Sequence, residues 1–134
     1  VVGCVGLVPD VRRVPGRWRD GDVIFAVAAG AERDLAREAA LVRLLWDASP
    51  LLSLAHDAGR GGFEACLAEA AFWSGIGAEL DGPPEEARAV VACAPEHVTA
   101  LAGELPLHRL GTAGGDSLLG KTLEELRDAW ETRS

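Results

Sequence analysis

The sequence has few of the residues that mark metal, nucleic-acid or disulfide-rich proteins. It has no methionine, no tyrosine and three cysteines, and its 13 Lys and Arg stand against 21 Asp and Glu, a formal net charge of −8. An extended nucleic-acid surface needs clustered positive charge, so no nucleic-acid partner is expected. Cys4, Cys66 and Cys93 form no C-x-x-C pair and lie at no metal spacing from a histidine. They are predicted to be core residues of a cytoplasmic protein without a metal site.

Long apolar runs are missing as well. No stretch is long enough to cross a bilayer, and no charged leader precedes an apolar segment, so no membrane partner is expected. The lack of methionine at position 1 and the strand-like opening at 1–8 suggest a domain cut from a longer protein. With 49% hydrophobic residues, the chain is predicted to form one domain, 1–134, with its own core.

The basic residues cluster in one loop. Four arginines lie beside Pro15 and Gly16, at Arg12, Arg13, Arg17 and Arg19. A solvated hairpin loop is the favoured interpretation, and a surface that meets a phosphate or an acidic partner domain is the alternative.

Hydrophobic periodicity predicts interleaved strands and helices. Strands are expected at 1–8, 22–29, 51–55, 88–94, 107–110 and 117–119, and helices at 32–48, 62–74, 95–102 and after Thr122, where Thr-x-x-Glu125 forms a capping box. The first helix is expected to bury one stripe: Leu35, Ala39, Val42, Leu45 and Trp46. This order predicts an α/β fold, a layered α/β sandwich with a mixed sheet and helices.

The most informative segment is the glycine turn, 57–62, between a short strand and an amphipathic helix. A helix N-terminus behind a turn with little side-chain bulk presents amide hydrogens to an anion. We therefore predict that backbone N–H groups between Asp57 and Phe63 converge outward on a phosphate or nucleotide. The predicted binding residues are Asp57, Gly59, Arg60, Gly61 and Gly62. The alternative is a tight turn whose glycines only let a strand pass into a helix.

Other polar residues give weaker signals. His56 and Asp57 resemble an acid/base pair, but neighbours in a strand point to opposite faces, so His56 is expected to be structural. Glu64 and Glu69 are predicted to be solvated, and 114–116 to form a hairpin turn. No catalytic residue is assigned.

Several stretches resemble the C-terminal domain of the aminoimidazole ribonucleotide synthase-like superfamily, most closely that of phosphoribosylformylglycinamidine synthase. The family's turn, His-Asp-Val-Ser-Asp-Gly-Gly-Leu followed by Leu-Ala-Glu, resembles the segments 56–63 and 67–69. The segments 1–14, 21–28, 110–116 and 123–131 are also similar to the family.

The resemblance implies one domain of an ATP-dependent purine-biosynthesis ligase. That enzyme converts formylglycinamide ribonucleotide to its amidine with glutamine-derived ammonia. The resemblance also implies a missing N-terminal domain that carries most ATP, magnesium and substrate ligands, and a glutaminase as a possible partner. This domain alone would hold no cofactor and be inactive.

Departures from the family pattern leave alternatives open. Gly59 and Arg60 replace the usual serine and second aspartate, and Arg60 resembles the Arg-Gly-Gly of hydrogenase-maturation relatives. A glycine-rich segment is missing after Gly30, and the stretch 83–86 is shortened. The alternatives are a degenerate, non-catalytic repeat that supports interdomain packing, and the equivalent domain of aminoimidazole ribonucleotide synthase or a hydrogenase-maturation enzyme.

Overall fold

A computed structural model of the chain describes residues 3–28, 34–59, 61–82, 87–103 and 106–133. Its centre is a five-stranded sheet in the order β2-β4-β1-β5-β3. The strands are β1 (Val23–Val27), β2 (Leu54–Asp57), β3 (Ala78–Leu80), β4 (Ala89–Cys93) and β5 (Leu107–Ala113). A separate two-stranded sheet joins β6 (Ser117–Leu118) to β7 (Lys121–Thr122).

Helices cover both faces of the large sheet. They are α1 (Leu35–Ala48), α2 (Gly62–Ser74), α3 (Val98–Ala102) and α4 (Leu123–Arg133). One core cluster joins sheet residues to side chains of α2 and α4, and the other joins the opposite face to α1 and α3. β4 is buried at every position, as expected of a strand covered on both sides.

The layered α/β class is confirmed, with one difference in the sheet. All strand pairs in the described part of the chain are antiparallel, whereas a mixed sheet was expected. None of the helices in those residues is long and apolar enough to cross a membrane.

The predicted opening strand is absent from the described residues. Positions 3–8 have no regular structure, and Val5 and Leu7 are 100% and 91% exposed. A β-branched run forms a strand only when an edge pairs with it and a face buries its side chains. At the β2 edge a single bridge from Gly16 to Leu54 takes that place.

The buried face of α1 also differs from the prediction. Leu35, Val42 and Trp46 are 88%, 67% and 78% exposed, so most of the predicted stripe faces solvent and only its Leu45 packs against the core. Leu45 packs on the sheet together with Leu41, Leu44 and Ala48, which lie one step around the helix from the predicted stripe. Two overlapping apolar stripes run along this helix, and periodicity alone cannot choose between them.

Several element boundaries differ from those predicted. Pro50 lies in a one-turn 3-10 helix, Ser49–Leu51, so β2 begins three residues later than expected. β5 continues through Gly111 to Ala113. The segment 114–116 joins β5 to β6, but these two strands are not paired to each other. The predicted hairpin turn at 114–116 is therefore wrong. The short strand β3 was not predicted. Gly30 and 83–86 lie outside the described residues.

The helices that flank the site were predicted well. α2 spans Gly62–Ser74, as expected, and ends at Gly75 with φ of +70°. The capping box is confirmed, since the Thr122 amide donates to Glu125 Oε2 at 2.8 Å and the Glu125 amide to Thr122 Oγ1 at 3.2 Å.

Candidate functional site

The glycine turn lies where β2 ends and α2 begins. β2 pairs with β4 as far as Asp57 opposite Ala89, and the Ala58 amide then donates to the Arg88 carbonyl at 2.9 Å. The chain leaves the sheet at this point and enters α2 at Gly62. The turn is therefore anchored on its strand side by the sheet and on its helix side by the core.

Glycine is required at two positions of the turn. Gly61 has φ of +112° and Gly62 has φ of +84°, in the left-handed region that side chains avoid. A Cβ on Gly61 would also lie 3.2 Å from the Ala65 Cβ. Both glycines are exposed, and so is Gly59. At these three glycines the turn thus presents bare backbone to solvent.

The start of α2 offers amide hydrogens. Gly61 is the N-cap, and no side chain of the described residues caps the helix. Helix geometry leaves the first amides, those of Phe63 and Glu64, without an intrahelical acceptor. Glu64 in the first turn interacts favourably with the helix dipole but is exposed. An anion at this end would gain both hydrogen bonds and dipole stabilisation.

Some amides of the predicted set are already bonded. The Ala58 amide donates to Arg88, and the Gly62 amide makes a long bond of 3.4 Å to the Gly59 carbonyl. Not all N–H groups between Asp57 and Phe63 are therefore available to converge outward on a ligand, contrary to the prediction from the sequence. The helical end of the turn remains available.

The predicted site residues do not all share one cavity. Asp57 lines a cavity of about 470 Å³ with Asp34, Leu35, Glu38, Ala58 and Arg88. Gly61 lines another, of about 370 Å³, with residues of α2, α4 and the small sheet, including Lys121 and Trp130. The Asp57 side chain is 88% exposed, and a Cβ on Gly59 would lie 3.6 Å from its Oδ2 atom. Arg60 lies outside the described residues.

A polar network lies behind the turn and was not predicted from the sequence. His56 Nε2 lies 2.8 Å from Glu69 Oε2, and Trp130 Nε1 donates to Glu69 Oε1 at 2.7 Å. The His56 ring stacks on Trp73 with 5.4 Å between ring centroids, and its Nδ1 atom lies 3.5 Å from Asp57 Oδ1. The network ties β2, α2 and α4 together directly behind the glycine turn.

The prediction that Glu69 is solvated is therefore wrong. Its side chain is 23% exposed, and both carboxylate oxygens accept hydrogen bonds. His56 is hydrogen-bonded, as expected, but its nearer partner is Glu69 from α2, while Asp57 is farther away. The usable sequence signal was an acidic residue inside α2, one turn before the aromatic pair Phe72-Trp73.

The buried cysteines are chemically quiet. Cys66 and Cys93 are buried as predicted, whereas Cys4 is exposed. Burial raises the pKa of the Cys66 thiol to about 12, with smaller contributions from Asp57 and Glu69. Burial likewise raises the pKa of Cys93. Because the thiolate is the nucleophile, neither buried thiol is activated for covalent chemistry at neutral pH.

Comparisons with known proteins point to one enzyme. The chain is 40% identical to phosphoribosylformylglycinamidine synthase subunit PurL of Thermobifida fusca, and 31% identical to that of Nocardioides sp.. These matches cover 96% and 98% of this chain, but the chain spans only about a fifth to a quarter of the relatives' length. The first alignment has 154 positions, so that relative carries residues that this chain lacks. No family model matches.

Solved structures give the same fold. A structure of Thermotoga maritima PurL complexed with ADP matches with a TM-score of 0.59 and 20% identity, over 78% of this chain and 23% of that one. Phosphoribosylformylglycinamidine synthase II from the same organism matches with a TM-score of 0.59 and 18% identity, over 80% of this chain and 25% of that one. The resemblance drawn from the residues is thereby confirmed: the chain is homologous over nearly its whole length to a part of phosphoribosylformylglycinamidine synthase subunit PurL.

Proposed function

We propose that this domain serves a PurL-type, ATP-dependent ligase by binding a nucleotide phosphate at its glycine turn. The parent enzyme would make a C–N bond. ATP activates the amide oxygen of formylglycinamide ribonucleotide, and ammonia displaces phosphate to give the amidine. The ammonia would come from glutamine through a glutaminase partner or domain. In this proposal the 134 residues contact only a phosphate group of the nucleotide, and the complete site for ATP and magnesium needs the rest of the parent. The domain alone therefore does not catalyse the reaction. The enzyme acts in the cytoplasm.

The single observation that carries the proposal is the open N-terminus of α2. Gly61 and Gly62 have positive φ, so the turn exposes backbone, and the amides of Phe63 and Glu64 lie at the positive end of the helix dipole. Glycines without Cβ atoms let phosphate oxygens approach these amides closely. Arg60 would add a charge-assisted hydrogen bond.

The proposal gives this domain no metal of its own. Mg²⁺ takes oxygen ligands, often one or two carboxylates together with substrate phosphates. Asp57 is an exposed carboxylate beside the turn, but Glu38 in the same cavity is paired with Arg88 at 3.0 Å. The described residues contain no group of three potential metal ligands. Magnesium would therefore enter with the nucleotide and with ligands from the rest of the parent.

A second candidate is a non-catalytic packing domain. Specific observations favour it: Asp57 and Gly61 line different cavities, the Ala58 amide is already bonded, and Leu35, Val42 and Trp46 on α1 are exposed. A domain of this kind would support its neighbours in the parent without touching a nucleotide.

A titration separates the two candidates. The chain is titrated with ADP and ATP by calorimetry, beside Arg60→Ala and the control Arg43→Ala. Both variants remove one positive charge, and Arg43 is exposed on α1, away from the turn. We expect saturable binding that Arg60→Ala weakens about tenfold, the loss of one charge-assisted hydrogen bond, while Arg43→Ala changes it less than about twofold, as expected for a distant exposed charge.

Other outcomes favour the packing domain. Absence of saturation at millimolar nucleotide would remove the proposed phosphate site. Equal weakening by both variants would mean that net charge, and not the turn, attracts the ligand.

A further inference from the structure

We propose a second anion site at the opposite end of the sheet, which binds a small ligand with two or more neighbouring phosphate groups. The site is a cleft of about 860 Å³ between the loop 11–19, the segment 49–53 and the ends of α2 and β4. We call it the arginine cleft. Four arginines line it, Arg12, Arg13, Arg17 and Arg19, in a chain whose net charge is −8.

The loop that carries these arginines is fixed to the body of the domain. The Arg17 amide donates to the Ser53 carbonyl at 3.0 Å, and the Ala55 amide donates to the Pro15 carbonyl at 2.9 Å. Trp18 is 1% exposed, and its indole N–H donates to the Ile76 carbonyl at 2.8 Å. The solvated hairpin loop expected from the sequence is thus a strap against the β2 edge, with a buried anchor.

The anchor places its neighbours on the outside. Arg17 and Arg19 flank the buried Trp18 and are both exposed, and Arg13 lies in a short 3-10 turn. Because the backbone of Arg17 and Arg19 is held by the sheet and by Trp18, little backbone entropy is lost when a ligand orders these two guanidinium groups. Such preorganisation is what raises affinity without new contacts.

The charge balance inside the cleft favours an anion. Arg12 is paired with Asp10 at 2.9 Å, but none of the described residues forms an ion pair with Arg13, Arg17 or Arg19. The cleft contains one carboxylate, Asp22, which is 4% exposed. Its Oδ2 atom accepts from the Ser53 hydroxyl at 2.5 Å and from the Arg19 amide at 2.9 Å. This oxygen is therefore engaged inside the protein.

The ligand class follows from the donors and the space. Guanidinium groups present planar, paired N–H donors that match phosphate oxygens. Three unpaired guanidinium groups exceed what a single phosphate needs, and the volume is that of a small-molecule site. The half-buried His97 also lines the cleft. A diphosphate-bearing molecule satisfies this set better than a monophosphate.

The cleft is separate from the glycine turn. β2 starts beside the cleft at Leu54 and ends at Asp57, and Ser53 belongs to the cleft lining. The three residue steps from Leu54 to Asp57 put about 10 Å between the two ends. A ligand in the cleft would therefore leave the turn free, and each site has its own arginines for mutation.

The test uses inorganic pyrophosphate as the probe, with phosphate for comparison, in calorimetric titrations at low salt. The cleft variant is Arg13→Ala with Arg17→Ala, and the matched control is Arg43→Ala with Arg127→Ala, which removes the same charge from exposed positions elsewhere. We expect pyrophosphate to saturate the unmodified chain and to bind more tightly than phosphate. The cleft variant should bind it at least about tenfold more weakly, and the control variant less than about twofold more weakly.

Backbone NMR shifts of the unmodified chain keep the test decisive if the cleft variant does not fold. Pyrophosphate should move the amide signals of 13–19 more than those of 58–64. The proposal is overturned by absence of saturation, by equal losses in both double variants, or by a larger loss in Arg60→Ala, which would place the ligand at the glycine turn. It is also overturned if a decaglutamate peptide binds more tightly than pyrophosphate, since the cleft would then fit an acidic protein segment.

Discussion

Replacing Gly111 by alanine is expected to lower the free energy of unfolding by about 3 kcal/mol or more, at the upper end of overpacking costs. Gly111 lies in β5 between β1 and β3, opposite Ile24 and Leu80. A Cβ at this position would clash with the backbone carbonyl of Glu79, which cannot move aside as a flexible side chain can. The new methyl group would push β3 off the sheet edge. Urea unfolding followed by circular dichroism measures the loss.

Gly82→Ala is the matched control for this change. A Cβ on Gly82 meets nothing within 4 Å, and its φ is not positive. The control should change the free energy of unfolding by less than about 0.5 kcal/mol, as surface substitutions usually do. Equal stability of the two variants would show that β3 does not lie against Gly111 as described.

Removing the Glu69 carboxylate is the second large perturbation. Glu69→Ala leaves His56 and the Trp130 indole without their shared acceptor, so we expect a loss of about 2–3 kcal/mol in unfolding free energy. Glu69→Gln retains one carbonyl oxygen and should lose about half as much. Because the network joins α4 to α2, Glu69→Ala should increase the rate of amide hydrogen exchange in α4 more than in β4.

The control on the same helix is Glu64→Ala. Glu64 is exposed and has no part in the network, and its replacement by alanine removes the same charge as Glu69→Ala does. A stability loss in Glu64→Ala as large as that in Glu69→Ala would contradict the network and leave only a helix-dipole or net-charge effect.

The sequence predicted α2 well because several signals agree there. Apolar residues recur on one stripe from Phe63 to Ala71, and glycines mark both ends. The capping box at Thr122 was readable for the same reason, since its two side chains act on backbone only three residues away. Local chemistry of this kind needs no knowledge of the rest of the fold.

Features that depend on distant partners could not be read in this way. The pairing of Glu69 with Trp130 spans 61 residues, and the strand Ala78–Leu80 exists because β5 offers it an edge. The orientation of α1 depends on which of two apolar stripes fits the sheet. For the candidate site, the positive φ of Gly61 and Gly62 matched the predicted turn, but the division of Asp57 and Gly61 between two cavities was visible only in three dimensions.

The proposed function depends on a phosphate group binding at the start of α2. The most direct measurement is a two-dimensional ¹⁵N–¹H NMR titration of the unmodified chain with ADP. We expect saturable shifts that are largest for the amides of Gly61, Gly62, Phe63 and Glu64, and small for amides of α1 such as that of Val42. Shifts that stay within noise at the turn, at ADP concentrations up to several millimolar, would contradict it and leave the domain a packing role.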